Sequence, residues 1–221
     1  MPEIKAILFD NDGTVLDTHD LLLDTFRYAT RTVLGREIPD EKLMAKVGLP
    51  LDVEMWDFTD DEAVHDELVR VYRAYNLEKH DSMVRLFDGV AETLEALRGA
   101  GFSMGIVTSK RHDPAQHGLE LFDVMKYFDC LIGADDFEEH KPQPGPVIHA
   151  AGLLGFDPEE CIYVGDSPFD MRAGSGAGCM AAAALWGMHS EASLRAQGPD
   201  FICTAFPDLL AIDPVASRMA R

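Results

Sequence analysis

The chain has 221 residues, 47% of them hydrophobic, and a formal net charge of -20 from 39 acidic and 19 basic residues. This length and composition predict one globular domain, or a domain with an insertion, that buries a full core. The acidic balance argues against nucleic acid and anionic membrane surfaces as partners, because both bind proteins through lysine and arginine. No apolar run approaches the length that spans a bilayer.

The first nine residues, "MPEIKAILF", lack a basic leader and a small-residue cleavage site, so they predict a strand and a cytoplasmic protein. The cysteines Cys130, Cys161, Cys179 and Cys203 are widely spaced and form no CxxC pair. We therefore expect reduced, buried thiols and no zinc site.

Short apolar runs that end in Gly, Asp, Ser or Thr predict buried strands. They cover residues 4–10, 103–109, 129–134, 161–166, 180–187 and 200–205. Helical patterns lie between them, such as 89–101, where apolar residues recur at helical spacing before two glycines. The alternation predicts an α/β fold, a Rossmann-like parallel sheet with helices on both faces.

A helical insertion interrupts this alternation between about Thr18 and Met83. It contains helical patterns at 19–35 and 60–77, and it predicts a cap domain over residues 17–83. Residues 1–16 and 84–221 then form the core domain. Because the insertion begins just after the first strand, it is a candidate lid that sets substrate choice. Residues 206–221 are expected to be a tail with limited structure.

The stretch "FDNDGT", residues 9–14, crowds two acids behind the first strand. Asn11 to Gly13 is typical of a turn, and a calcium loop or an active site are the alternatives. Calcium fails because Gly13 stands at the fourth loop position instead of the sixth, and Leu21 occupies the twelfth, where a glutamate is needed.

In open α/β sheets, ligands bind beyond the carboxyl ends of the strands, so the residues there decide between turn and active site. These residues are Asp10, Asp12, Thr108, Ser109, Lys110, Lys141, Gly165, Asp166 and Asp170. Crowded carboxylates repel one another unless a cation compensates, and an all-oxygen site suits Mg²⁺. With a lysine and a hydroxyl, such a site would hold a phosphoryl group that one carboxylate attacks.

The segments "FDNDGT", "VTSK", "HKPQP" and "VGDSPFD", in this order, resemble the four signature motifs of the haloacid dehalogenase superfamily. The resemblance is strongest to its phosphoglycolate phosphatase-like branch and covers nearly the whole chain, since the insertion looks like that branch's helical cap. It implies that Asp10 is the nucleophile and Asp12 the general acid, and later the base. Thr108 and the Ser109 amide would hold phosphoryl oxygens, and Lys141 would neutralise their charge.

The resemblance also implies that Asp166 ligates Mg²⁺ beside Asp10 and the Asp12 carbonyl, and that Asp170 completes or supports the metal shell. Asp12 would have to hold a proton near neutral pH, which a neighbouring anionic cluster and partial burial would favour. Lys110 and Arg111 are interpreted as solvated surface, or as charges that steer anions, and are left outside the site.

The expected activity is that of a Mg²⁺-dependent phosphatase of small phosphorylated metabolites, working through an aspartyl phosphate, with phosphoglycolate as the first candidate substrate. The alternatives are an inorganic pyrophosphatase of the same branch and a β-phosphoglucomutase-like phosphomutase. Asp12 argues against a dehalogenase, which needs no acid to protonate a phosphate ester's leaving group. The intact pair of Asp10 and Asp12 argues against a non-catalytic phosphate or Mg²⁺ binder. Asn11 stands where this family has an apolar residue, and its side chain is expected to point away from the phosphate. The sequence does not predict whether the protein is a monomer or a homodimer.

Overall fold

The computed structural model describes residues 3–220. Its strands are β1 (Ala6–Phe9), β2 (Leu16–Asp17), β3 (Arg85–Leu86), β4 (Ser103–Val107), β5 (Cys130–Ile132), β6 (Cys161–Gly165), β7 (Met180–Ala184) and β8 (Phe201–Cys203). Its α-helices are α1 (His19–Leu34), α2 (Asp40–Leu43), α3 (Leu51–Met55), α4 (Glu62–Met83), α5 (Val90–Gly99), α6 (His112–Leu121), α7 (Gly145–Leu153), α8 (Pro168–Ala177), α9 (Glu191–Arg195) and α10 (Asp213–Met219). Short 3₁₀ helices cover Met125–Tyr127, Pro158–Glu160 and Phe206–Ala211.

The main sheet has six parallel strands in the order β5-β4-β1-β6-β7-β8. Strand β1 lies between β4 and β6, with Ala6 opposite Ser103 on one side and Cys161 on the other. The chain adds strands on one side of β1 and then on the other, so the strand order reverses there. The carboxyl ends of β1, β4 and β6 therefore border the position where such sheets bind ligands. All six predicted strands are present, and the predicted α/β fold is confirmed.

The residues of β1 alternate between two apolar cores, one on each face of the sheet. Ile7 and Phe9 pack in the cluster that contains α5 side chains such as Leu94, whereas Ala6 and Leu8 pack in the cluster that contains α7 side chains. All four residues are buried, as expected for a central parallel strand covered on both sides.

Helices α1 to α4 fill the predicted insertion and enclose an apolar cluster of their own. Phe26 on α1 contacts Tyr72 on α4 edge to face, with ring centroids 4.8 Å apart. Strands β2 and β3, where the chain enters and leaves these helices, form an antiparallel pair with Leu16 opposite Leu86. The division into a cap of residues 17–83 and a core remains a prediction.

The prediction of a poorly structured tail at 206–221 is wrong over its described part, residues 206–220. A 3₁₀ helix and α10 occupy this segment and bury Phe206, Leu209 and Val215 in the core. The Phe206 ring stacks on Phe9 of β1 at 5.7 Å. With Ile212, which joins the same cluster, these residues recur every three positions, and this pattern is too short to stand out without the sheet that it covers.

In the part of the chain that the structure describes, no helix is both long and apolar enough to cross a membrane. All four cysteine thiols are free; Cys161, Cys179 and Cys203 are buried, and Cys130 is partly buried.

Candidate active site

The loop after β1 places Asp10 and Asp12 at the carboxyl edge of the sheet. The Asp10 N–H donates to the Val164 carbonyl of β6 at 2.9 Å, and the Asn11 carbonyl accepts the N–H groups of Thr14, Val15 and Leu16. The segment is therefore a tight turn, and it is also the point where two acids face the switch in strand order.

Gly13 allows this loop to approach Asp166, which follows β6. Its φ is +82°, and a Cβ added there would lie 2.3 Å from Asp166 Oδ2. Any side chain would therefore collide with a carboxylate of the site, in a backbone conformation that L-residues avoid.

Lys141 lies between two buried carboxylates. Its Nζ is 2.8 Å from Asp10 Oδ1 and 2.6 Å from Asp170 Oδ1, and its side chain is 1% exposed. Burial alone would lower the pKa of Lys141, but the charges of Asp10 and Asp170 outweigh it and hold this pKa above its usual value. The lysine is therefore a fixed positive charge at the floor of the site.

Asp170 accepts four hydrogen bonds. Its Oδ1 accepts from Lys141 Nζ and from the Tyr163 hydroxyl, and its Oδ2 accepts from the backbone N–H and the hydroxyl of Ser167. A carboxylate offers about four acceptor positions, so these donors occupy all of them. Asp170 thus holds Lys141 in place and caps α8 at the same time.

Asp166 is held by two donors from loops beyond other strands. The Met188 N–H, after β7, donates to Oδ2 at 2.7 Å, and the Thr14 hydroxyl lies 3.3 Å from Oδ1. Burial raises the pKa of Asp166 to about 7, and the nearby charge of Asp170 acts in the same direction. The Met188 amide could not be predicted from the sequence, because almost every residue type has a backbone N–H group.

One carboxylate oxygen from each of Asp10, Asp166 and Asp170 lies within 4.8 Å of the other two. Burial raises the pKa of Asp10 well above its usual range; the Lys141 charge acts against this shift, and the charges of Asp170 and Asp166 add to it. Three acids around one lysine leave an excess of negative charge, which a cation would offset.

The Asp12 carboxylate pairs with Lys110 instead of joining this cluster. Lys110 Nζ lies 3.0 Å from both Asp12 oxygens, and the two side chains are 11% and 16% exposed. This pair corrects the interpretation of Lys110 as solvated surface, because the lysine side chain is largely buried beside Asp12. The sequence signal that could have placed Lys110 in the site is its position two residues after Thr108, within "VTSK".

The loop after β4 connects the site to the segment between helices α2 and α3. The Thr108 hydroxyl accepts the Lys110 N–H at 3.1 Å, which leaves its own proton available to a ligand. The Ser109 hydroxyl donates to the Gly48 carbonyl, between α2 and α3, at 2.7 Å. His189 Nε2 donates to the neighbouring Val47 carbonyl at 2.8 Å, so two core loops hold the 46–50 segment over the sheet.

A cleft of about 480 Å³ lies between helices α1–α4 and this edge of the sheet, and Asp10, Asp12, Thr108, Ser109 and Asp166 line it from the side of the sheet. The side formed by residues of the helical insertion is largely apolar, with Leu22, Phe26, Leu49, Leu51 and Tyr72. The buried Glu54 also lines the cleft, and sequence reasoning did not single it out. Burial raises the pKa of Glu54 well above its usual range, and the charges of Asp57 and Asp12 add to the shift.

Asn11 lies outside the lining of this cleft. Its side chain is fully buried, and neither its amide nitrogen nor its oxygen has a hydrogen-bond partner.

The family model of haloacid dehalogenase-like hydrolases matches residues 7–184, which include every residue of the candidate site described above except Met188 and His189. The chain belongs to this family. This match confirms the resemblance to haloacid dehalogenase-like hydrolases that the four motifs indicated.

Proteins similar to this hydrolase, in sequence or in solved structure, cover nearly its full length. The pyrophosphatase PpaX of Bacillus velezensis is 37% identical, over 96% of this chain and 97% of the relative, and that of Anoxybacillus flavithermus is 36% identical over 97% and 99%. The crystal structure of a predicted phosphoglycolate phosphatase from Haemophilus somnus superposes with a TM-score of 0.89 at 28% identity, covering 96% of this chain and 99% of that one.

Proposed function

We propose that this protein is a phosphohydrolase that transfers a phosphoryl group to Asp10 and then to water. The observation that carries the proposal is the convergence at one sheet edge of Asp10, Asp12 and a buried lysine, with the Thr108 hydroxyl lining the same cleft. This set provides a nucleophile, a candidate acid and donors for phosphoryl oxygens.

In the first step, an Asp10 carboxylate oxygen attacks phosphorus, and the bond from phosphorus to the leaving oxygen breaks. Asp12 gives its proton to that oxygen as it departs. In the second step, Asp12 takes a proton from water while the water oxygen attacks phosphorus, and the bond to Asp10 breaks. Inorganic phosphate forms, and both carboxyl groups return to their starting states.

Lys141 would neutralise negative charge on Asp10 and on the phosphoryl oxygens, since its Nζ lies 2.8 Å from Asp10 Oδ1 and its side chain is buried. Thr108 would donate its hydroxyl proton to a phosphoryl oxygen, because its oxygen already accepts the Lys110 N–H. The Ser109 hydroxyl is directed to the cap, so only its backbone N–H would serve the phosphate.

The acidic cluster fits Mg²⁺, which hydrolases of this family generally use. Its ligand atoms are hard carboxylate oxygens, and burial, with the neighbouring carboxylate charges, raises the pKa values of Asp10 and Asp166, so a bound cation would stabilise their ionised forms. We propose Asp10, Asp166 and the Asp12 carbonyl as ligands, with Asp170 in support because its acceptor positions are taken. When bound, the ion would offset the charge of the phosphoryl group.

Inorganic pyrophosphate is the proposed substrate. The support comes from relatives that are 36–37% identical over almost the whole chain and are named pyrophosphatases. Phosphoglycolate is the second candidate, supported by the Haemophilus somnus structure at 28% identity. We also propose that the enzyme works in the cytoplasm on small phosphorylated metabolites, since free cysteines suit a reducing compartment.

Parallel assays with Mg²⁺ on pyrophosphate, phosphoglycolate and a hexose 1-phosphate test the proposal. We expect the highest kcat/KM for pyrophosphate. A higher kcat/KM for phosphoglycolate would make phosphoglycolate the preferred substrate and leave the proposed reaction unchanged. No turnover of any of the three would contradict a phosphohydrolase.

A further inference from the structure

Two histidines and an aspartate meet where helix α4 packs against helix α6. Asp81 Oδ1 accepts hydrogen bonds from His80 Nδ1–H at 2.9 Å and from His117 Nε2–H at 2.8 Å. His80 and Asp81 lie in the last turn of α4, and His117 lies on α6, so the group joins the helical insertion to a helix that follows β4. The proposed mechanism uses none of these three side chains.

The three side chains provide the ligand types of a transition-metal site. One ligand atom from each of the three lies within 4.8 Å of the other two. Imidazole nitrogen suits divalent transition ions such as Zn²⁺, whereas the all-oxygen group of Asp10, Asp166 and Asp170 suits Mg²⁺. Among the residues that the structure describes, only these two groups bring three potential ligand atoms this close.

A histidine and the aspartate that follows it also pair elsewhere, but without a third ligand. His19 Nδ1 lies 3.1 Å from Asp20 Oδ1, and within residues 3–220 this pair belongs to no group of three potential ligands. The contact of His80 with Asp81 is therefore a local one, and the approach of His117 distinguishes it. The sequence gave no sign of this group, since His117 lies 36 positions from Asp81 and the expectation of no zinc site rested on cysteine spacing.

Only small movements would convert the hydrogen-bonded group into a metal site. A tetrahedral Zn²⁺ with ligands at about 2.0–2.1 Å separates its ligand atoms by about 3.3 Å, roughly 0.5 Å more than the present hydrogen bonds do. The side chains of His117 and Asp81 are 51% and 59% exposed, so both can move by this amount without disturbing the core. The side chain of His80 is only 3% exposed and provides the fixed ligand.

We propose that His80, Asp81 and His117 bind a divalent transition-metal ion of the Zn²⁺ type, with water as the fourth ligand. His80 would coordinate through Nδ1 and His117 through Nε2, and each neutral imidazole would keep its single proton on the other ring nitrogen. The ion would take the place of the two hydrogen bonds and link α4 to α6 beside the cleft, which both histidines line.

The surroundings of His80 determine how tightly this site should bind. Its Nε2 is buried and has no hydrogen-bond partner in the described part of the chain. A ligand imidazole usually donates from its second nitrogen to an acceptor, and loss of that partner weakens binding by about 10- to 100-fold. With three protein ligands instead of four, we expect a Kd on the order of micromolar, so the link between the two helices would be reversible.

Calorimetric titration of Zn²⁺ into the full chain with excess Mg²⁺ tests the site, because Mg²⁺ competes for the all-oxygen group. We expect one Zn²⁺ per chain in the wild-type protein. His117→Gln and Asp81→Asn each remove a ligand from an exposed position, so both variants should fold, and their Kd for Zn²⁺ should rise at least about tenfold. His19→Gln is the matched control, since it removes a histidine that also pairs with the next aspartate, and it should bind Zn²⁺ like the wild type.

Co²⁺ used in place of Zn²⁺ reports the ligands directly. A four-coordinate Co²⁺ with imidazole ligands absorbs visible light much more strongly than a six-coordinate Co²⁺ with oxygen ligands. We expect this absorption in the wild type and in His19→Gln, and its loss in His117→Gln. Equal Zn²⁺ affinity in the wild type and His117→Gln, or no Zn²⁺ binding by the wild type, would overturn the inference. Neither result bears on the proposed phosphohydrolase, which turnover assays test separately.

Discussion

The buried Asp166 carboxyl should make the stability of the metal-free protein fall as the pH rises. An aspartate in the unfolded chain titrates near its ordinary pKa of 3.8, whereas burial raises the pKa of Asp166 to about 7 in the folded protein. Between these values the folded chain keeps a proton that the unfolded chain has released. One pKa unit corresponds to about 1.4 kcal/mol, so folding stability should fall by about 4 kcal/mol between about pH 4 and about pH 7.

Urea unfolding in EDTA, measured between about pH 5 and about pH 7.5, tests this expectation when wild-type protein is compared with Asp166→Asn. Asparagine does not titrate, so the difference between the two proteins isolates the carboxyl. Saturating Mg²⁺ should remove most of the wild-type loss, because the ion binds the ionised form. Parallel stability profiles for the two proteins in EDTA would refute the reasoning.

Further substitutions probe the parts of the site separately. Gly13→Ala places a methyl group against Asp166 Oδ2 at 2.3 Å, so Mg²⁺ affinity measured by calorimetry should fall at least about tenfold. Asp170→Asn breaks a buried ion pair and should lower the free energy of unfolding in urea by about 3–5 kcal/mol. Asn11→Leu removes a buried amide without hydrogen-bond partners and should raise that free energy by about 1 kcal/mol or more, with turnover nearly unchanged.

Matched variants show whether these effects are specific. Gly35 also has a positive φ, +66°, but nothing lies within 4 Å of a Cβ added there, so Gly35→Ala should leave Mg²⁺ affinity at the wild-type value. Asp57→Asn breaks a surface pair with Lys46 and should cost only about 0–1 kcal/mol of stability. Equal effects in test and control variants would contradict the site geometry, and a large loss of turnover in Asn11→Leu would mean that Asn11 faces the substrate.

The positions that the sequence identified best are those that follow strands. Asp10, Thr108 and Asp166 come directly after runs that are buried on both faces, and the parallel sheet brings such positions to one edge whatever the details of packing. The predicted strands were found for the same reason, since a continuous apolar run between turn residues has few alternatives in a sheet of this kind.

Contacts between distant loops were beyond the sequence pattern. The pair Lys110 and Asp12 joins residues 98 positions apart, and the Ser109 contact with Gly48 joins residues 61 positions apart. Each contact depends on how two irregular loops pack against one another, and neither hydrophobic periodicity nor turn residues specify this packing. The partner of Lys110 decides whether it is surface charge or part of the site, and this partner is visible only in three dimensions.

The central claim is that Asp10 carries the phosphoryl group, and trapping this intermediate tests it most directly. Enzyme mixed with excess pyrophosphate and Mg²⁺ is quenched in acid during turnover, and its peptides are analysed by mass spectrometry beside those of Asp10→Asn. We predict a phosphoryl group on Asp10 in the wild-type protein, none in the variant, and a loss of turnover of at least about a thousandfold. A phosphoryl group on another residue, or turnover by Asp10→Asn at the wild-type rate, would contradict the mechanism.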